Sequence, residues 1–232
     1  NDRQTRAPRN PLEVIGELHE TFEPRRQELL TRRAVALAAA HAGRMPAYLA
    51  DSAATIGSWS IALPAWVQDQ RNQITGPADN AKLLVGMCNS ADPGCMPDGE
   101  DSITTDWDHV QAAQRNTIAA IKGTLSFREE ATEKSGSVKP SAQLMFYRPR
   151  GLHLDETHAV EGRTLSGSLY DLASVFLATA DERRAAVERP EAQARLCFYL
   201  PKTESQEEAS WLSDLIAALE NEIGIPEGAS KV

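Results

Sequence analysis

Three short runs of polar and charged residues each follow an apolar stretch of the chain. They occupy residues 96–102 (MPDGEDS), 147–154 (YRPRGLHL) and 198–205 (FYLPKTES). The apolar stretches have the length of buried strands, and a helical pattern follows each run. In α/β barrels the chemistry lies in such loops, at the carboxyl ends of the strands. We therefore expect the three runs to meet at one edge of a sheet and to form a site there.

The first run places three carboxylates within four residues, at Asp98, Glu100 and Asp101. Such crowding favours a divalent cation, a water network around one, or raised carboxylate pKa values. A solvated acidic turn that caps the next helix is the alternative. The residues by themselves leave both interpretations open.

The second run carries Arg148 and Arg150, and the third carries Lys202 and Glu204. A guanidinium at a strand end presents paired, planar donors, which suit a carboxylate or a developing enolate oxygen. An arginine that only forms a salt bridge is the alternative. Lys202 and Glu204 either anchor loops and support the site electrostatically or form a surface ion pair.

The elements that position these residues begin with a helical N-terminal part. Hydrophobic spacing predicts helices over residues 11–44 with a break near Pro24, and residues 45–79 are predicted to be irregular with short strands. Four arginines alternate with glutamates at helical spacing, which predicts a solvated, ion-paired helix face. These arginines are Arg25, Arg26, Arg32 and Arg33.

From residue 81 the pattern changes to strand, loop and helix, three times in succession. The predicted strands are residues 82–88, 142–147 and 196–200, and the predicted helices are residues 107–121, 169–180 and 209–223. Three consecutive β/α units predict a parallel sheet with right-handed crossovers. Residues 127–140 are strongly charged, and we expect a loop there.

The predicted fold class is therefore α/β, in two parts. A helical and irregular segment covers residues 1–80, and a partial, TIM-barrel-like parallel sheet of about three units covers residues 81–232. Because a closed barrel needs about 250 residues, we expect a partner chain, a swapped element or further sequence to complete the sheet. Pro93, Gly94, Pro97 and Gly99 predict a distorted end for the strand that precedes the acidic run.

Composition excludes several classes of protein. Hydrophobic residues make up 41% and charged residues 25% of the chain, as in ordinary globular domains. A net charge of −9 argues against a nucleic-acid partner, and no apolar run approaches the roughly 20 residues of a membrane span. Three cysteines form no zinc or disulfide pattern. Cys88 and Cys197 are predicted to be buried, whereas Cys95 is expected to be exposed.

The ordered set of motifs resembles malate synthase, in particular the N-terminal portion of its A form. The resemblance rests on residues 17–33 (ELHETFEPRRQELLTRR), 74–80 (ITGPADN), 87–110 (MCNSADPGCMPDGEDSITTDWDHV), 148–154 (RPRGLHL), 166–172 (SGSLYDL) and 198–205 (FYLPKTES). It implies a TIM barrel and a cytoplasmic, Mg²⁺-dependent condensation of acetyl-CoA with glyoxylate to malate, in the glyoxylate cycle.

The resemblance also assigns roles to residues of this chain. Arg148 matches the catalytic arginine of the family, and Arg150 is then a structural or loop partner. Asp98, Glu100 and Asp101 match an acidic run near the magnesium ion and its waters, and Lys202 supports the site. The direct metal ligands of the family are a Glu and an Asp on later strands, which we expect beyond Val232.

Two alternatives to a working malate synthase remain open. A related but non-catalytic subunit would keep the scaffold and pair with a complementary chain. An acyl-CoA lyase on a related barrel would run similar carbon–carbon bond chemistry in reverse.

Overall fold

The computed structural model describes residues 9–48, 50–67, 69, 71–140 and 143–232. Ala142, the first residue of the second predicted strand, lies outside this range. The helices α1 to α7 are Pro11–His41, Ala53–Ile56, Ala81–Cys88, Trp107–Ile121, Gly167–Ala178, Ala180–Glu188 and Gln206–Ile223. The strands β1 to β8 are Gln73–Pro77, Gly94–Asp98, Ser126–Glu129, Lys134–Ser137, Leu144–Tyr147, Asp155–Val160, Arg163–Ser166 and Cys197–Phe198.

A parallel sheet of four strands, in the order β1-β2-β5-β8, lies at the centre of the fold. Together with the helical N-terminal segment it confirms the predicted fold class. The strand β1 precedes residue 81 and pairs with β2 along its whole length. The division of the chain near residue 80 remains a prediction.

The first predicted strand, residues 82–88, is wrong, because this run forms the helix α3. Asn80 caps the helix by accepting a hydrogen bond from the Leu83 N–H at 3.0 Å. A short apolar run fits a buried strand and a buried helix equally well by periodicity, and the capping residue decides between them. The strand of this unit is β2, which begins at Gly94.

Pro97 lies inside β2 and interrupts the pairing of this strand with only one of the two neighbouring strands. The register with β1 is continuous from Gln73↔Gly94 to Pro77↔Asp98. On the other side, pairing with β5 covers only Gly94 and Cys95, and it returns as an isolated bridge between Asp98 and Arg148. The Pro97 carbonyl accepts from the Arg148 N–H at 3.0 Å, so the missing proline N–H faces β5. The expected distortion is thus confined to the β5 side.

The helix α1 does not break at Pro24, contrary to prediction, and runs from Pro11 to His41. The continuous helix α1 packs against α7. The Trp211 indole N–H donates to the Phe22 carbonyl at 3.0 Å, and the two rings meet edge to face with centroids 5.8 Å apart. These contacts offset the one helical hydrogen bond that proline removes.

Two antiparallel hairpins extend from the sheet. The predicted loop over residues 127–140 is wrong for its first part, because β3 and β4 pair there. Successive side chains alternate between the two faces of this short ribbon, as in any strand, along Ser126, Phe127, Arg128 and Glu129. The charge of the run does not prevent this pattern. The second hairpin, β6 with β7, turns at Gly162, whose φ of +69° lies in the left-handed region.

The helices α5 and α7 agree with prediction to within a few residues, and α4 has the predicted bounds, whereas α2 and α6 have no counterpart among the predicted helices. The core contains residues of the sheet and of the helices α1, α3, α4, α5 and α7. Cys95 is fully buried, so its expected exposure is wrong. Within the described part of the chain, no helix combines the length and apolar character needed to cross a membrane.

Candidate functional site

The carboxyl ends of β2 and β5 bring the acidic run beside the arginine run. The Gly99 N–H donates to the Arg148 carbonyl at 2.9 Å, and Asp98 and Arg148 form a parallel bridge. The register of the sheet therefore produces this juxtaposition, as expected for the shared edge of parallel strands.

Arg148 and Asp98 form a bidentate ion pair. The Arg148 Nε lies 2.7 Å from Asp98 Oδ1, and Nη2 lies 2.5 Å from Oδ2. Asp98 is fully buried and also accepts from the Glu100 N–H, the Ser102 N–H and the Ser102 hydroxyl, at 2.5 to 2.9 Å. Burial alone would raise the pKa of Asp98, but its bonds to Arg148 and Ser102 outweigh burial and lower it. The same pair raises the pKa of Arg148.

Asp98 is therefore not part of a solvated acidic cap. Asp106 caps α4 instead, accepting from the His109 N–H at 3.2 Å. The carboxylate of Asp98 fixes the plane of the Arg148 guanidinium, because both of its oxygens are engaged.

The Arg148 guanidinium has donors left over after this pairing. Its Nη2 is 3.3 Å from Asp101 Oδ2, and its Cζ is 5.9 Å from the centre of the Tyr199 ring. Its Nη1 has no hydrogen-bond partner among residues 9–48, 50–67, 69, 71–140 and 143–232. The side chain is 14% exposed, so an oxyanion can reach an oriented donor.

Glu100 interacts electrostatically with Arg148 and is 3% exposed. Its Oε1 accepts from the Gly151 N–H at 2.9 Å and lies 3.2 Å from the Lys202 ammonium. Its Oε2 is buried and has no hydrogen-bond partner within the described chain. Gly151 permits this approach, because a Cβ there would lie 2.8 Å from Glu100 Oε1.

Lys202 connects the third run to the first. Its ammonium is 2.8 Å from Asp101 Oδ1, and this hydrogen bond raises the pKa of Lys202. The residue has a left-handed φ of 53°, and its carbonyl accepts from Arg33 Nη2 at 2.7 Å. Arg33 is in turn paired with Glu208, so α1 and α7 together hold the Lys202 loop.

Arg150 points into the protein and is 1% exposed. It forms a bidentate pair with Asp171, at 2.8 and 2.9 Å, and its Nη2 is 2.9 Å from Glu156 Oε2. Burial would lower the pKa of Arg150, but these two carboxylates outweigh burial and raise it. The contacts support the structural role that the sequence predicts, which remains a prediction.

Arg26 supports the site, and sequence reasoning missed it. The prediction of a solvated face is wrong for this residue, which is fully buried. Its guanidinium donates to the Leu152 carbonyl at 2.7 Å and the Leu154 carbonyl at 3.0 Å, and pairs with Asp155 at 2.7 Å. Phe22 and Leu29 flank it at helical spacing on the buried face of α1. That spacing is the signal that could have revealed it.

The sequence resemblance implies a magnesium ion, but the described residues of this site do not supply a complete set of ligands for it. Within the described part of the chain, no group of three or more His, Cys, Asp or Glu side chains is arranged to hold a metal ion. Arg148 and Ser102 occupy both oxygens of Asp98, and Lys202 pairs with Asp101. Of the three carboxylates, Glu100 keeps a buried oxygen, Oε2, without a hydrogen-bond partner in the described chain. These residues do not form a magnesium site by themselves.

Comparison with known proteins identifies the family. The family model for the TIM barrel domain of malate synthase matches residues 144–232. A malate synthase of Myxococcus xanthus is 38% identical over 223 residues, which cover 95% of this chain and 40% of the relative. Malate synthase A of Escherichia coli is 34% identical over 223 residues, with 95% and 40% covered. A glyoxysomal malate synthase of Ricinus communis is 30% identical over 226 residues, with 95% and 39% covered.

The chain thus spans about two fifths of the length of the curated relatives that it matches. Two observations lead to the same assignment. One is the site at the ends of β2, β5 and β8, and the other is the match over almost the whole chain. This chain belongs to the malate synthase family and corresponds to the N-terminal portion of its members.

Proposed function

We propose that this chain supplies the arginine side of a site that condenses acetyl-CoA with glyoxylate to malate. The observation that carries the proposal is the geometry of Arg148. Asp98 fixes the guanidinium plane, and the Nη1 amino group has no partner among the described residues. An oriented cationic donor of this kind stabilises negative charge on oxygen, with little reorganisation when that charge develops.

The reaction produces negative charge on oxygen at the point where such a donor is needed. Loss of a methyl proton from acetyl-CoA gives an enolate, whose oxygen Arg148 would hold by a charge-assisted hydrogen bond. The enolate carbon then bonds to the aldehyde carbon of glyoxylate, and hydrolysis of the thioester releases CoA thiol. We expect the base that removes the proton to come from residues beyond Val232.

The groups next to Arg148 would orient it and balance the local charge, and they would not react themselves. Asp98 keeps the guanidinium oriented, and Lys202 compensates the charge of Asp101 and Glu100, which would otherwise repel an anionic substrate. The family implies a magnesium ion, and we expect its direct ligands on later strands, outside this chain. The cytoplasm remains the predicted location.

The test is an assay for thiol release from acetyl-CoA and glyoxylate with Mg²⁺. The chain is assayed alone and after mixing with the part of the Escherichia coli relative that follows its matched region. We expect thiol release from the mixture and its loss in the mixture with Arg148→Ala. Arg115→Ala is the matched control, because Arg115 is an exposed arginine of α4.

Each outcome separates the proposal from its alternatives. A stable complex without thiol release would identify a non-catalytic subunit. Cleavage of a 3-hydroxyacyl-CoA without net thiol release would identify a lyase. Turnover by Arg148→Ala at the wild-type rate would remove the proposed role of Arg148.

A further inference from the structure

Two of the three cysteines of the chain lie in contact, away from the site described above. Cys88 is the last residue of α3, and Cys95 is the second residue of β2. Their side chains are hydrogen-bonded to each other. Both thiols are free, and both residues are buried, with exposed fractions of 1% and 0%. The spacing of the cysteines in the sequence predicts no disulfide, but the fold brings these two sulfur atoms together.

The hydrogen bond makes the two thiols unequal. Cys95 donates to the sulfur of Cys88, and this contact outweighs burial and lowers the pKa of Cys88. The same contact, together with burial, raises the pKa of Cys95. The cationic side chain of Arg195 further stabilises a thiolate at Cys88. Cys88 is therefore the thiol of the pair that ionises first, and the thiolate is the form that reacts with oxidants.

The third cysteine, Cys197 in β8, is buried to the same degree but has different surroundings. Its residue is 2% exposed. Its thiol donates to the Gln193 carbonyl at 3.3 Å and not to a second thiol. Burial raises the pKa of Cys197 to about 12, so little thiolate forms there at neutral pH. Cys197 is thus an internal control for the effect of a neighbouring thiol.

A small oxidant can reach the pair through the segment that joins α3 to β2. This segment, residues 89–93, includes Asn89 and Ala91, which are exposed. The helix α3 has eight residues, and local opening of a short element costs less free energy than global unfolding. Sulfur atoms already in contact reach the disulfide bond length of about 2.05 Å by small side-chain movements. Oxidation therefore requires local opening and no rearrangement of the sheet.

We propose that Cys88 and Cys95 form a modification site, at which hydrogen peroxide produces a reversible disulfide. The Cys88 thiolate attacks one oxygen of the peroxide, the O–O bond breaks, and the departing hydroxide takes up the proton that Cys88 lost. The Cys95 sulfur then attacks the resulting sulfenic acid, the S–O bond breaks, and a second water leaves with the Cys95 proton. Two electrons thus pass from the two sulfur atoms to the peroxide.

This site is separate from the proposed condensation. Cys95 lies near the start of β2, whereas Asp98, which pairs with Arg148, is the last residue of that strand. The disulfide would join the end of α3 to the start of the strand that carries the acidic run. Its formation is measured on the thiols themselves, so the test requires no turnover of acetyl-CoA.

Thiol counting on the folded chain tests the proposal. The chain is treated with hydrogen peroxide, quenched with catalase, unfolded and alkylated with N-ethylmaleimide. We expect the number of alkyl groups to fall from three to one, with the remaining group on Cys197. Trypsin leaves Cys88 and Cys95 together in residues 83–115, so this peptide should lose two hydrogen atoms. Dithiothreitol before alkylation should restore all three groups.

Serine variants assign the roles within the pair. Cys197→Ser is the matched control and should still lose both of its alkyl groups on oxidation. Cys95→Ser should form no disulfide within residues 83–115 and should instead hold a sulfenic acid on Cys88, which dimedone labels. Cys88→Ser should keep both of its alkyl groups, because Cys95 and Cys197 have raised pKa values.

The wild-type chain alone decides whether the site exists. Three alkyl groups after peroxide treatment would overturn the proposal, as would a disulfide that includes Cys197. Oxidation of Cys88 to a sulfinic or sulfonic acid, without a bond to Cys95, would also overturn it. Because alkylation counts thiols, oxidation of a methionine in the same peptide does not affect the result.

Discussion

Arg148 and Arg150 lie two residues apart at the end of β5, and their environments differ. Asp171 and Glu156 surround Arg150 in the interior. Arg148 has one bidentate partner, Asp98, and an amino group without a partner among the described residues. Full pairing fixes a loop, whereas partial pairing leaves a donor oriented for a ligand. Residue type and spacing do not distinguish these two roles, but the surrounding carboxylates do.

The largest expected effect is on stability and comes from Arg150. Arg150→Ala leaves the buried carboxylates of Asp171 and Glu156 without a cation, and we expect a loss of about 3–5 kcal/mol in the free energy of unfolding. Urea denaturation followed by circular dichroism measures it. A loss below about 1 kcal/mol would show that the full pairing of Arg150 does not make it the structural one of the two arginines.

Arg148→Ala should cost less stability and more function. Asp98 keeps its bonds to Ser102 and to the Glu100 N–H, so we expect a loss of about 1–3 kcal/mol in the free energy of unfolding. The same denaturation experiment applies. A greater destabilisation than that of Arg150→Ala would reverse the assigned roles.

Acid should weaken the ion pair between Arg148 and Asp98, because it protonates the Asp98 carboxylate. The folded-state pKa of Asp98 is lowered, so its contribution to stability is complete above the unfolded pKa of about 3.9 and is lost as pH falls through the lower, folded-state value. Unfolding free energy measured from pH 6 to pH 2 should therefore decrease below about pH 4. Asp98→Asn should flatten this decrease, and an unchanged slope in that variant would exclude Asp98 as a source.

The smallest effect is expected at the exposed pair of Lys202 and Asp101. Lys202→Ala should change the free energy of unfolding by no more than about 1 kcal/mol, because water screens the pair with Asp101 and the buried Glu100 Oε1 keeps its hydrogen bond from the Gly151 N–H. In the thiol-release assay it should raise KM, since uncompensated carboxylates would repel anionic substrates. A loss of more than about 2 kcal/mol in stability would mean that Lys202 is a structural residue.

Part of this arrangement could be predicted from the sequence. The helix α4 has its predicted bounds because apolar periodicity and a capping Asp106 agree. The prediction of a strand over residues 82–88 is wrong because a short, continuous apolar run has no periodicity that separates helix from strand. The pairing of Asp98 with Arg148 requires the register of two strands 50 residues apart, which local patterns do not contain.

Arg26 shows a different limit of sequence reasoning. Charge patterning places an arginine on a solvated face by default, but this residue is buried and donates to two loop carbonyls. These two carbonyls lie more than 120 residues away along the chain. A buried, long-range role of this kind follows from tertiary packing and not from helix propensity.

The central claim is that the oriented guanidinium of Arg148 stabilises an oxyanion. The most direct measurement is chemical rescue of Arg148→Ala in the complemented thiol-release assay, by added guanidinium at millimolar concentration. We predict that the variant is inactive, that guanidinium restores part of its rate in a saturable manner, and that ammonium at equal ionic strength does not. Wild-type turnover by Arg148→Ala without guanidinium would contradict the account.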